Sequence, residues 1–353
     1  MATPKYLKIR DSILGDIRKG LLATGDIIPK REDLIQKYSV TRTTIDKALG
    51  ELISSGILKT VRRLGTFVAQ SAPALRTAVV CRLDDTYLER GGVIAESCQQ
   101  RLFKILITHA DELNFKFVDF AAVLKNPGQL DQYDLIAAIQ PPETVIEEAL
   151  KFPDKTIMVN RYYDNISFVA TNHRQAIGEA AEKLISAAPE SAQLFYLDWE
   201  TESFVSRERR EGFIDSCAAR NRFYRISKLR AGENEFNFDA LNALPINPDK
   251  PLIMLATSCI ATGAVLRFAR EKHLEFGKNF FYADFENVDS LERTGHSIPT
   301  IIQDYNAMGV ELINAVRARN SSPEKHQVFI PHKLLNFNFG EAAVTKYPLP
   351  DSP

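Results

Sequence analysis

Arg42, Thr43 and Thr44 stand together in the stretch TRTTIDKALGELISS, residues 41–55. One planar cation and two short hydroxyls suit a phosphate backbone and the base edges of a groove. Thr41 before them is of the type that caps a helix start. Behind them Ile45, Ala48, Leu49, Leu52 and Ile53 recur at three- and four-residue steps, which predicts one buried helical face. An ordinary capped surface helix would open the same way, so the flanks decide.

A second group of residues sits in loops. Each loop follows a short apolar run: Arg82 to Tyr87, with Asp84 and Asp85, after TAVVC; Asn160-Arg161-Tyr162-Tyr163 after TIMV; Asp198-Trp199-Glu200 after QLFYL; and Asp284-Phe285-Glu286-Asn287 from Phe280 onward. Forks and amides beside aromatic rings suit a polyhydroxylated ligand, whose C–H face stacks on rings and whose hydroxyls pair with polar groups. Surface loops are polar for other reasons too, so no one of these residues carries the reading alone.

Metal and redox chemistry find no support. The six histidines, at 109, 173, 273, 296, 326 and 332, show no ligand spacing. Cys81, Cys98, Cys217 and Cys259 form no CxxC pair and read as reduced, mostly buried thiols. No cofactor is expected. No run of 18 apolar residues exists and MATPKYLKIRDSI lacks the apolar stretch of a signal peptide, so a cytoplasmic protein with no membrane partner is expected.

The elements that must position these groups begin with a basic head. Residues 1–70 hold 13 Lys/Arg against 7 Asp/Glu, a net of +6; the remainder holds 31 against 38, a net of −7. A basic head on an acidic body points to a polyanionic partner for the head only. Tyr6 to Lys19 reads as a first helix and Lys30 to Tyr38 as a second, followed by the Thr41 helix, which Gly56 ends. ILKTVRRLGTFVAQ then reads as a hairpin with a basic tip at Arg62 and Arg63. Three helices and a hairpin in that order make a winged helix-turn-helix.

Residues 71–76 close a short linker, QSAPALR, around Pro73. From residue 77 strands and helices alternate: Thr77–Cys81, a helical run over Val93–Leu113, then strands at Phe115–Phe120, Asp134–Ile139 and Thr156–Val159. The alternation resumes with helices at Arg174–Ala187 and Arg207–Arg220, and strands at Gln193–Leu197, Leu252–Leu255 and Phe280–Ala283. Continuous apolar strands between helices imply parallel sheets covered on both faces, here in two similar lobes, with ligands at the carboxyl ends of the strands.

The order KYLKIRDSI, KGLLATGDIIPKREDL, SVTRTTIDKALGELISSGIL and RRLGTFV resembles the DNA-binding domain of the GntR family of bacterial regulators, over about residues 5–69. The resemblance implies DNA contacts from Arg42, Thr43 and Thr44 with Thr41 at the helix start, and from a wing around Arg63, Gly65 and Thr66. Gly65 would let the backbone approach DNA. The family usually begins its second helix with Pro-Ser-Glu-Arg; here Pro29-Lys30-Arg31-Glu32 puts a carboxylate where that Arg is expected, leaving the contact to Lys30 or Arg31. Asp46 could accept from a cytosine amino group or simply face solvent.

The body resembles the LacI/GalR-type regulatory domain, through IMVNRYYDNISFVATNHRQAIGEAAEKLI, SRERREGFIDSC, PLIMLATSCIATGAVLRFA, FFYADFEN and PTIIQDYNAMGVELI. That resemblance implies effector contacts from Arg209, which precedes Gly212-Phe213, from Glu286 and from Asn160. Where the family has Asn-Asp, this chain has Thr257-Ser258. With the loop residues, the candidate effector set is Arg82, Asp84, Asn160, Arg161, Trp199, Arg209, Thr257, Phe285 and Glu286.

The expected fold is α/β: an N-terminal winged helix-turn-helix at 1–70, a linker at 71–76, and a two-lobed periplasmic-binding-protein-like domain with two parallel α/β sheets at 77–345. Lobe 1 is expected over 77–168 and 300–325, and lobe 2 over 169–299 and 326–345, with a disordered tail at 346–353. The expected function is that of a sequence-specific transcriptional regulator, a repressor of carbohydrate genes similar to arabinose-type repressors, and not an enzyme. Its partners would be double-stranded operator DNA, a sugar or related effector, and a second copy of itself. A non-sugar effector is the main alternative. A pyridoxal-phosphate aminotransferase-like body is disfavoured by length and by the lack of a Schiff-base lysine motif. An all-helical acid-sensing body with a histidine metal site is disfavoured by the strands.

Overall fold

The computed structural model describes residues 4–62, 64–70, 75–83, 101–230, 234–286, 298–319 and 324–339. Arg63, Asp84, Asp85, Cys98, Asn287, the first part of the Val93 helical run and the 346–353 tail lie outside the described residues.

The head follows from apolar periodicity. Helix α1, Lys5–Arg18, buries Ile9, Ile13 and Ile17. Helix α2, Arg31–Tyr38, buries Leu34 and stops at Ser39, whose φ of 49° is left-handed. Helix α3, Arg42–Ser54, buries Ile45, Ala48, Leu49 and Leu52 against both. Thr41 occupies the expected cap position with extended backbone but makes no side-chain cap bond; its hydroxyl shares a hydrogen bond with that of Thr44 at 2.9 Å instead. Strands β1, Leu58–Val61, and β2, Gly65–Val68, pair antiparallel with Val61 opposite Gly65.

The body has two six-stranded sheets. The first is ordered β13-β7-β6-β5-β3-β4, all parallel: β3 Thr77–Cys81, β4 Phe115–Asp119, β5 Leu135–Ile139, β6 Thr156–Val159, β7 Ser167–Ala170 and β13 Gln327–Phe329. Helix α4, residues 101–108, and helix α11, Tyr305–Arg319, cover one face, with Leu102, Leu106, Met308 and Leu312 buried. Helices α5, Phe120–Lys125, and α6, Glu143–Ala149, cover the other. Every residue of β3, β5, β6 and β7 is buried, as sheets sandwiched between helices require.

The second sheet is ordered β14-β12-β11-β10-β8-β9. It comprises β8 Gln193–Trp199, β9 Tyr224–Leu229, β10 Leu252–Ala256, β11 Phe280–Phe285, β12 Thr300–Ile302 and β14 Lys333–Leu335. Only β14 runs antiparallel to its neighbour. Helices α7, His173–Ala187, and α8, Phe204–Ala219, pack on one face; α9, Asn234–Asn242, and α10, Thr262–Glu271, pack on the other. Helices α7 and α8 approach until a Cβ on Gly212 would lie 2.0 Å from the Arg174 carbonyl oxygen.

The chain passes between lobes three times: after β7, after β12 and between β13 and β14. Three boundaries move from the expected ones. Val169 and Ala170 belong to lobe 1, because β7 continues to Ala170 beside β13. Thr300–Ile302, expected in lobe 1, pairs with β11 and lies in lobe 2. Gln327–Phe329, expected in lobe 2, pairs with β7 and closes the edge of lobe 1. Strands of three residues are too short to declare their sheet by periodicity; their hydrogen-bond partners decide it.

Candidate effector cleft and nucleic-acid surface

On the head, Arg42 is 70% exposed and Thr43 is exposed at the start of α3. Arg31 donates from Nε to Asp46 Oδ1 at 2.6 Å, and Arg42 Nε lies 3.7 Å from the other oxygen of Asp46. Asp46 therefore holds two of the candidate phosphate-binding arginines, which is neither of the roles expected for it. Lys30 and Glu32 are exposed at the start of α2. The wing differs from expectation. Thr66 is buried, its hydroxyl 3.2 Å from that of Thr60, so only its backbone remains available. Gly65 has a φ of 127°, and a Cβ there would meet Ile27 Cδ1 at 2.6 Å. The backbone conformation already favours glycine here, whatever approaches from outside; the Ile27 side chain, itself exposed, could shift.

In the body, the first residues after three strands share a feature. Gln140 follows β5, Asn160 follows β6 and Glu286 follows β11, with φ of 47°, 58° and 65°. Left-handed backbone is uncommon away from glycine and gathers at functional sites. At Gln140 and Glu286 the side chains both reach the Tyr305 hydroxyl.

Tyr305, the first residue of α11, ties them together. Its hydroxyl accepts from Gln140 Nε2 at 3.0 Å and from Gln303 Nε2 at 2.9 Å, and donates to Glu286 Oε2 at 3.1 Å. A hydroxyl has one proton and two lone pairs, and these three bonds match that capacity. It joins lobe 1, through Gln140, to lobe 2, through Glu286.

Arg209 of α8 is buried. Its Nη1 donates to the Thr257 carbonyl at 2.6 Å and its Nε to His173 Nδ1 at 3.4 Å, and its guanidinium lies 3.4 Å from the centre of the Phe285 ring. Arg161 of lobe 1 donates to the Asn160 carbonyl at 2.7 Å. Burial, and then the charge of Arg209, pull the Arg161 pKa down to about 10. Burial also lowers Arg209, with Glu286 opposing. It raises Glu286, opposed by Arg209, Gln303 and Tyr305. His173 falls well below its usual value through burial and then the charges of Arg209 and Arg161, so it is a neutral acceptor at pH 7. Buried side-chain atoms without a partner remain in this set on Asn160 (Oδ1), Gln303 (Oε1), Glu286 (Oε1), Thr257 (Oγ1) and His173 (Nε2).

Tyr162 of lobe 1 makes further contacts with α8 of lobe 2. Its hydroxyl donates to Glu208 Oε2 at 2.6 Å, and its ring meets Phe204 edge-on at 5.0 Å. The Phe204 N–H donates to Glu143 from α6. These contacts hold the start of α8 against lobe 1.

The structure thus brings Asn160, Arg161, Arg209, Thr257, Phe285 and Glu286 into one linked set. Trp199 lies elsewhere: it ends β8 and packs with the core of Phe195 and Leu197. Its neighbour Asp198 is fully buried between Arg210 and Lys228, each at 2.8 Å, so Arg210 is an ion-paired residue. Arg82 is half-buried directly after β3. Sequence reasoning did not single out Gln140, His173, Gln303 or Tyr305 as individual site residues; a strand-end position was the one available signal, for Gln140. A separate open groove of about 580 Å³ runs between α7 and α8 along Arg174, Gly178, Lys183 and Asp215, and no candidate residue lines it.

No helix among the described residues is long and apolar enough to cross a membrane. Residues 5–68 match the family described as bacterial regulatory proteins, gntR family. The chain is 22% identical over 270 residues, 76% of its length and 95% of the other's, to an Escherichia coli O157:H7 protein named "Probable fructoselysine utilization operon transcriptional repressor". It is 34% identical over 70 residues, 20% of its length and 19% of the other's, to the arabinose metabolism transcriptional repressor of Geobacillus stearothermophilus. Among solved structures, a regulatory protein of LacI family from Chloroflexus aggregans superposes with a TM-score of 0.58 at 14% identity, over 73% of this chain and 95% of that one. Residues 5–68 are therefore a GntR-family domain, and they are joined to a body with the fold of LacI-family repressors.

Proposed function

We propose that this chain is a homodimeric, sequence-specific DNA-binding repressor of carbohydrate-use genes whose cleft between the lobes takes a sugar-type effector. It performs no catalysis in this reading. The observation that carries it is the convergence of Arg209, Asn160, Glu286 and Tyr305 between two lobes that stand behind a GntR-family domain. The relatives support it by what they are named for: a fructoselysine operon repressor aligned over most of the chain, and an arabinose repressor aligned over the head alone.

In the proposed mechanism α3 enters a major groove, with Arg42, Thr43 and Thr44 leading, while the β1–β2 wing lies alongside. Two copies joined through their bodies set two heads roughly 34–36 Å apart, one turn of DNA. Effector joins residues of both lobes and so favours one interlobe angle. It shifts DNA affinity only to the extent that it binds one angle better than another. The test has two parts. A thermal-shift screen against sugars and their derivatives is expected to give a hit that Arg209→Ala abolishes. Binding to the DNA upstream of the protein's own gene is expected to fall on adding that hit and to be lost in Arg42→Ala. A well-folded protein with no hit, or one whose DNA binding and salt dependence ignore Arg42→Ala, overturns the reading.

A further inference from the structure

Among the described residues, the linked set holds two guanidiniums and one carboxylate. Among the described residues neither Arg161 nor Arg209 has a carboxylate within 4.0 Å: Arg161 bonds the Asn160 carbonyl, and Arg209 bonds the Thr257 carbonyl and His173. Carbonyls and a neutral imidazole accept hydrogen bonds but cancel no charge. Glu286 is the one acid of the linked set; its Oε2 is occupied by the Tyr305 hydroxyl, its Oε1 is buried without a partner, and its charge offsets that of Arg209 in part. Arg209 is buried and Arg161 half-buried, and two guanidiniums so placed without an ion-paired carboxylate are costly unless an anion joins them.

The neutral groups around them ask for something different. Asn160 Oδ1 and Gln303 Oε1 are buried acceptors that lack donors. An unmet buried acceptor costs about 1–3 kcal/mol and is relieved by an O–H donor. A neutral sugar would serve these oxygens and leave the arginine charges alone. A bare inorganic anion would do the reverse.

We infer that the effector is an anionic sugar derivative, its carboxylate or phosphate held between Arg161 and Arg209 and its hydroxyls donating to Asn160 and Gln303. The inference rests on the reading of this cleft as the effector site, and it specifies the ligand. Arg161 sits on lobe 1 and Arg209 on lobe 2, so the shared anion is the group that draws the lobes together.

The test is isothermal titration of the full-length protein with matched probes: D-glucose, D-gluconate, D-glucuronate and D-glucose 6-phosphate; D-ribose, D-ribonate and D-ribose 5-phosphate; L-arabinose and L-arabinonate; and inorganic phosphate. At least one acid or phosphate ester is expected to bind about tenfold or more tighter than its neutral parent, since a charge-assisted bond contributes about 1.5–3 kcal/mol and tenfold is about 1.4. Whether the acid or the ester wins identifies the anion. Arg161→Gln is expected to remove that preference, and Arg161→Lys to restore part of it. If Arg161→Gln does not fold, the wild-type affinity must still fall as salt rises from 0.05 to 0.5 M for the anion and not for the parent. Neutral parents that bind as well as their acids and esters, insensitive to salt and to Arg161→Gln, overturn the inference and leave the effector-site reading standing. Inorganic phosphate that binds as tightly as the best sugar anion overturns the sugar part. No binding by any probe, with Arg209→Ala also without effect on the response of DNA binding to cell extract, overturns both.

Discussion

Arg31 Nε donates to Asp46 Oδ1 at 2.6 Å, joining the start of α2 to the exposed side of α3. Asp46 also attracts Arg42, four residues earlier on α3, at 3.7 Å. On the proposed reading, this carboxylate holds both cations in place and weakens their pull on DNA until phosphate competes. Asp46→Ala is expected to raise affinity for non-specific DNA several-fold at low salt. The slope of log affinity against log salt should steepen by about one, the increment for one further phosphate contact. Fluorescence anisotropy over a salt series reads both, and an unchanged slope means that Arg31 and Arg42 do not meet phosphate.

Tyr305→Phe removes the hydroxyl that Gln140, Gln303 and Glu286 share. Leaving those groups unmet should cost about 1–3 kcal/mol. For a body of this size that lowers the melting temperature by roughly 2–4 °C per kcal/mol. Because Gln140 and Glu286 belong to different lobes, the variant should also populate a wider interlobe angle, read as a larger radius of gyration in small-angle scattering without effector. A normal melting temperature and radius would show that the hydroxyl is dispensable.

His173 stays neutral in the folded protein to well below its usual pKa, because burial and then Arg209 and Arg161 oppose its protonation. Its unfolded counterpart takes up a proton near pH 6.5. Below that pH the unfolded state binds more protons, so stability falls as pH falls, and the loss ends only at the depressed folded value. Melting curves from pH 7.5 to 5 should therefore decline more steeply for the wild type than for His173→Gln. Parallel curves would mean that His173 titrates alike in both states.

The crossing of α7 and α8 offers a paired test on two glycines. A Cβ on Gly212 would stand 2.0 Å from the Arg174 carbonyl oxygen, whereas one on Gly178 would meet Ser216 Oγ at 3.4 Å and the Gly212 carbonyl at 3.5 Å, ordinary contact distances. Gly212→Ala must push two backbones apart and is expected to cost about 3 kcal/mol or more. Gly178→Ala should be tolerated or mildly stabilising, since alanine loses less backbone freedom in a helix interior, by about 0.5–1 kcal/mol. Scanning calorimetry separates them; equal behaviour would contradict the close crossing.

The parts legible in the sequence were those with a repeating physical signature. Ile9, Ile13 and Ile17 on α1, and Ile45, Leu49 and Leu52 on α3, announce their faces by spacing. Strands such as LIAAI and LIMLA announce burial by being apolar throughout. Strand β9, YRISKL, escaped because it is an edge strand with most of its residues exposed or half-buried. Strands β12, β13 and β14 escaped because three residues give no period. In the cleft, Asn160 and Glu286 could be pointed to as strand-end residues, but nothing local marks Tyr305, whose role depends on Gln140, 165 residues away. Trp199 reads two ways: a lone tryptophan invites a stacking role, and partial burial against a core accommodates the same ring equally well.

Three strands of chain link the lobes side by side, after Ala170, after Ile302 and after Ile330. A single link would be a swivel; three behave like a leaf hinge, stiff to twisting and sliding and soft only to folding. On the proposed reading, whatever chemistry enters the cleft is thereby compressed into one number, the fold angle, before it leaves the body. Two ligands of unlike structure that bring the lobes to the same angle send the same message. A ligand that fills the cleft without changing the angle is read as no ligand at all.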